Sequence, residues 1–121
     1  MSTSNPPPAA SFTTGERAYI RSELDMFFST LPSAADGFML KLWRSGPLAG
    51  QPKVPPAAQG LLDRGLMRLD ATLRLPHLFF TKAGLEALRA MMADRRFADP
   101  VKFAHIRQEL GIDARQGAAA E

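Results

Sequence analysis

Lys53, Gln59, Arg64, Arg68 and Arg74 are the side chains whose types and spacing suit a chemical task. Four are cations able to hold phosphate oxygens, and the fifth is an amide able to pair with a base edge. Together they could do binding chemistry on a polyanion. The plainer reading is a solvated helix face and hairpin, with Asp70 as a local partner for the arginines and Asp63 adding a charge of the wrong sign.

Nothing comparable supports catalysis. The chain has no Cys, which removes disulfides, thiolate metal sites and a Cys nucleophile. His77 and His105 lie far apart and read as structural residues. The glycines at 46 and 50 lack the Lys and the spacing of a phosphate loop, and no G-x-S-x-G or defensible carboxylate pair occurs. The expectation is a non-enzyme with no catalytic residue, metal or cofactor.

At 121 residues and 45% hydrophobic content the chain suits one domain with a packed core. Net charge is +3. Residues 1–60 carry Arg17, Arg21, Lys41, Arg44 and Lys53 against Glu16, Glu23, Asp25 and Asp36, so no segment is a polybasic tail. This balance leaves nucleic acid open and requires folding to gather the cations on one face. No run approaches the ~18 apolar residues of a membrane span, and residues 1–11 lack an apolar signal core. The expectation is a soluble cytoplasmic protein with no membrane partner.

The elements that must position these residues follow from caps and periodicity. Residues 1–12, with Pro6-Pro7-Pro8, read as a disordered tail, residues 13–113 as one domain, and residues 114–121 as a second tail. Thr13-Thr14-Gly15-Glu16 fits a capping box, and Ile20, Leu24, Phe27, Phe28 and Leu31 give helix 13–31 an apolar stripe. Ser33 to Asp36 signals a short helix carrying Phe38, Met39, Leu42 and Trp43, with Trp43 in the core. The Pro- and Gly-rich stretch 48–55 reads as a loop. Pro56 starts a helix that Gly65 closes. The apolar runs 66–69 and 77–80 read as a β-hairpin. Thr81 caps a helix with Leu85, Leu88, Met91 and Met92 inward, and Arg95 and Arg96 in its last turn. Asp99-Pro100 opens a final helix, 99–111, with Phe103, Ile106 and Leu110, and Ile112 folds back beyond Gly111.

A helix running into a short hairpin and then a long helix resembles a winged-helix domain. The likeness rests on Leu61-Leu62-Asp63-Arg64-Gly65-Leu66-Met67 and on Phe79-Phe80-Thr81-Lys82-Ala83-Gly84-Leu85. The first is similar to a recognition helix entering its wing in MarR- and PadR-like bacterial regulators, and the second to the step out of that wing. The resemblance implies a mainly helical winged-helix domain with extra N- and C-terminal helices. It also implies a transcriptional regulator binding double-stranded DNA, with helix 55–64 in the major groove and wing 68–77 on the backbone or minor groove. Gly84 would let its helix pack closely on the sheet. The scaffold helix is expected to be very short or missing, because residues 46–55 occupy its place.

Two further expectations concern protein contacts. The stripes Ile20, Leu24, Phe27 and Phe28, and Phe103, Ile106 and Leu110, either pack on each other or form a homodimer or partner interface, as terminal helices do in MarR-like proteins. The alternative to DNA binding is a non-catalytic interaction module, accessory or inhibitory, using those apolar helices or the Pro-rich loop.

Overall fold

The computed structural model describes residues 11–25, 31–72 and 74–112. Along them run helices α1 (Thr14–Leu24), α2 (Pro56–Asp63), α3 (Lys82–Ala93) and α4 (Ala104–Glu109). A 3₁₀ turn (Ala34–Asp36) leads into strand β1 (Phe38–Met39), and strands β2 (Met67–Asp70) and β3 (His77–Phe80) follow α2. The three strands form one antiparallel sheet in the order β1-β3-β2. The architecture is therefore mixed helix and sheet, with a third strand beyond the expected hairpin.

Local chemistry explains several boundaries. Both capping-box bonds form at α1: the Glu16 N–H donates to Thr13 Oγ1 at 3.1 Å, and the Thr13 N–H donates to Glu16 Oε1 at 2.9 Å. Pro56 sits in the first turn of α2, where its missing N–H costs nothing. Gly65 ends that helix at φ 73°, a left-handed conformation that favours glycine. Thr81 Oγ1 accepts the Gly84 N–H at 3.1 Å and caps α3. A Cβ on Gly84 would stand 1.9 Å from the Leu66 carbonyl oxygen, so only glycine lets α3 approach β2 this closely.

Tertiary contacts overrule the other local readings. The helix expected over 13–31 stops at Leu24, where Asp25 turns extended. Its end is held by α4 and the turn before it: His105 Nε2 lies 2.8 Å from the Leu24 carbonyl, and Lys102 pairs with Asp25 at 3.2 Å. Phe27 and Phe28 lie outside the described residues. The short helix expected to open at Ser33 to Asp36 and to carry Phe38, Met39, Leu42 and Trp43 is instead the 3₁₀ turn, β1 and extended backbone. Gly37 (φ 72°) packs so tightly on β3 that a Cβ would lie 2.4 Å from the Leu78 carbonyl oxygen. Phe38 then pairs with Leu78, and Met39 with His77. Arg95 and Arg96 lie beyond the end of α3, and Arg96 grips Asp94 at 2.7 Å instead of completing a last turn. Asp99 does cap, accepting the Val101 N–H at 2.8 Å, but it caps a turn, and α4 begins only at Ala104.

One core unites these elements. Ile20 and Leu24 from α1, Leu61 from α2, Leu78 from β3, Leu88 and Met92 from α3, and Phe103 and Ile106 beside and on α4 are at most 2% exposed. Ile20, Leu24, Phe103 and Ile106 are thus core residues of this chain, the first of the two alternatives for these stripes; Leu110 is half-buried against the same core. Their burial stabilises each side chain by roughly 1.5–3 kcal/mol. Glu109 ties α4 to the 3₁₀ turn, accepting the Ser33 hydroxyl and the Ala34 N–H at 2.8 Å each, and the Ala35 N–H at 2.9 Å. No helix among the described residues is long and apolar enough to cross a membrane.

Candidate nucleic-acid interface

Residues 40–54 fold into a two-limbed ribbon, called here the arm, where the resemblance places a scaffold helix. Its rungs are Lys53 N–H to Lys41 carbonyl at 2.8 Å, Trp43 N–H to Gln51 carbonyl at 2.9 Å, and Gly50 N–H to Trp43 carbonyl at 2.9 Å, around a Leu42–Pro52 bridge. The Leu40 N–H reaches the Pro76 carbonyl at 2.8 Å and ties the arm's base to the end of the wing loop, residues 71–76. The alternation is that of a strand: Phe38 and Leu40 are buried, while Met39, Lys41 and Trp43 are exposed. Trp43, expected in the core, is 38% exposed.

The arm and the wing loop enclose an open cleft of about 740 Å³, lined by Lys41, Leu42, Trp43, Arg44, Lys53 and Leu75 among others. Arg74 and Leu75 continue the surface past Met39 to His77. Lys41, Arg44, Lys53 and Arg74 are all exposed, and none pairs with a carboxylate among the described residues. Lys53 lies over the Trp43 ring, 4.8 Å from its centroid. An acid stands at the border, Glu23 of α1, in a groove shared with Tyr19, Lys41 and Lys53. Burial raises the Glu23 pKa, and Lys41 partly opposes the rise. Burial also pushes the Tyr19 hydroxyl up to about 12, with Glu23 adding to the shift. The cleft therefore presents three cations and an indole to solvent, with Arg74 on the adjoining surface, an arrangement suited to a phosphate backbone with a flat or apolar group beside it.

The five residues singled out by sequence divide between this cleft and other places. Lys53 lines it, and Arg74 lies on the adjoining surface with Met39, Leu75 and His77. Gln59 faces solvent on α2 but donates to Asp63 Oδ1 at 2.9 Å. Arg64 turns toward α1: its Nη1 donates to buried Glu16 at 2.8 Å, and its Nη2 donates to the Ser11 carbonyl. Arg68 lies on the outer sheet face, 5.0 Å from the Phe79 centroid and 3.8 Å from Asp70. Asp70 is held below the usual carboxylate range by the Thr72 hydroxyl and N–H, with help from Arg68 and His77. His77 stacks on Phe79 at 5.8 Å, and its Nδ1 lies 2.8 Å from the Leu75 carbonyl, a structural role. Lys41 is the cleft residue that sequence reasoning missed, and Trp43 the one it placed in the core, although the alternation from Phe38 to Trp43 carried the signal. No group of His, Asp or Glu among the described residues could hold a metal ion. No protein-family model, curated protein or solved structure matches this chain.

Proposed function

We propose that the protein is a non-catalytic, winged-helix-like DNA-binding protein of the regulator type that takes double-stranded DNA on the arm and the wing loop. The observation carrying this reading is the set of exposed cations with no salt bridge among the described residues: Lys41, Arg44 and Lys53 around the exposed Trp43, and Arg74 on the adjoining surface beside Leu75. The element order adds support: α2 runs into a β2–β3 hairpin, α3 follows, and β1 joins the sheet beside β3. The arm stands where a scaffold helix would cross the DNA backbone. Base reading by α2 is weak in this account, because its exposed amide is engaged by Asp63. Affinity comes from phosphate contacts.

The test is duplex affinity by fluorescence anisotropy, comparing wild type with a variant carrying Lys41→Ala, Arg44→Ala, Lys53→Ala and Arg74→Ala. All four side chains are exposed, so the fold is retained. The expected result is at least a tenfold loss of affinity; equal affinity would refute the reading.

A protein-interaction module is the second reading, favoured by the exposed apolar side chains Met39, Trp43, Leu48 and Leu69. It predicts no duplex binding at low salt.

A further inference from the structure

The apex of the arm is built from two overlapping β-turns. The first spans residues 46–49 and is closed by the Ala49 N–H on the Gly46 carbonyl at 3.1 Å, so Pro47 and Leu48 are its central residues. The second spans residues 48–51, closed by the Gln51 N–H on the Leu48 carbonyl at 2.9 Å, with Gly50 at φ 86° in the position that favours glycine. Pro47 fixes its own φ and stiffens the tip. Residues 43–51 are all exposed, and Leu48 is 46% exposed. The apex thus holds an apolar side chain out in water on a braced ribbon. Gly46, Ala49 and Gly50 flank it, which keeps the tip slim. Behind it the limbs carry Lys41, Arg44 and Lys53, and no Asp or Glu occurs between Asp36 and Asp63.

An apolar wedge on a slim support with cations behind it matches the needs of minor-groove binding with side-chain insertion. Such proteins push an apolar residue between base steps, kink the duplex and gain phosphate contacts from the bend. The unbent minor groove is only about 6 Å wide, so a narrow Gly-flanked tip is the form that enters. We infer that Leu48, backed by Pro47, is a wedge that opens a base step from the minor groove and bends the DNA. Arg44 and Lys53 hold the flanking phosphates. The favoured sites are flexible pyrimidine–purine steps, which kink at least cost. This inference rests on the DNA-binding reading and adds to it the groove, the inserted residue and the deformation.

The experiment uses the full chain and a duplex of about 30 base pairs, short against the persistence length of DNA, with a donor and an acceptor dye at opposite ends. Anisotropy on the same samples reports binding. Saturating wild type is expected to raise energy transfer between the ends. Leu48→Ala should abolish most of that rise while weakening binding less than tenfold, and Leu48→Met, which keeps an apolar wedge, should retain it. Wild-type binding without a rise in transfer, or an undiminished rise with Leu48→Ala, would overturn the wedge and leave the DNA reading standing. No wild-type binding by anisotropy would overturn both.

Discussion

The Lys53 ammonium stands 4.8 Å from the centre of the Trp43 indole ring, one limb of the arm braced on the other. Trp43 is the only tryptophan in the chain, so its emission reports on the cleft alone. Phosphate drawing Lys53 away, or a base edge approaching the ring, alters the indole environment. Titration with a duplex at low salt should therefore change both the intensity and the wavelength of Trp43 emission. Lys53→Ala should shift the emission of the unbound protein and reduce the further change on adding DNA. Unchanged emission at a DNA concentration that saturates anisotropy would place the binding surface elsewhere.

Arg64 gives the opposite expectation. Its guanidinium bonds to Glu16, which is 4% exposed and also serves the α1 capping box. Hydrogen bonds to charged groups contribute about 1.5–3 kcal/mol, and the half-exposed Arg64 belongs at the low end. Arg64→Ala should lower stability in urea by about 1–2 kcal/mol and leave duplex affinity within twofold of wild type. A large loss of affinity with unchanged stability would restore Arg64 to the binding surface.

Gly84→Ala tests the packing of α3 on the sheet. The added methyl would meet the Leu66 carbonyl oxygen, a backbone atom that cannot rotate away and that accepts the Thr81 N–H at 3.1 Å. Overpacking of this kind costs roughly 1–3 kcal/mol, and a backbone obstacle places it at or above the upper end. The expected result is a large drop in urea midpoint, whereas Gly15→Ala, in open space on α1, should be neutral or stabilising.

The acid limb of the stability curve should depend on Asp94. Its bonds to Arg96 hold its pKa at about 2. A lowered carboxylate pKa contributes stability that is present above the unfolded value, near 4, and lost as pH falls through about 2. Asp70 and Asp99 are lowered and act in the same sense; Glu23, raised by burial, acts in the opposite sense. Thermal midpoints between pH 4 and pH 2 should fall less steeply in Asp94→Asn than in wild type. Equal slopes would show that the Asp94–Arg96 contact does not persist in solution.

The parts legible in the sequence were those governed by neighbours in the chain. Thr13 and Glu16, Pro56, Gly65 and Thr81 act within a few residues, and each marks its element boundary. Residues 37–43 do not form the helix expected of them, because their partners are distant, whereas the loop expected over residues 48–55 is present as turns and irregular backbone. Phe38 and Leu40 alternate with Met39 and Lys41 as a strand does, yet the same residues also fit a short helix. Only pairing with β3, about forty residues on in the chain, decides between these. The burial of Phe103 and Ile106 against α1 likewise depends on contacts across most of the chain. The site was half legible for the same reason. Lys53 and Arg74 could be singled out by type, whereas the capture of Arg64 by Glu16 across 48 positions could not.

The most direct measurement is the salt dependence of duplex affinity for wild type and for the fourfold variant at Lys41, Arg44, Lys53 and Arg74. Each phosphate contact contributes about 0.9 to the slope of log affinity against log salt. Four contacts predict roughly a hundredfold loss between about 50 and about 200 mM salt, with the slope nearly abolished in the variant. A duplex affinity that does not change with salt, or a variant that keeps the wild-type slope, would contradict the claim that the arm and wing loop form the DNA-binding surface.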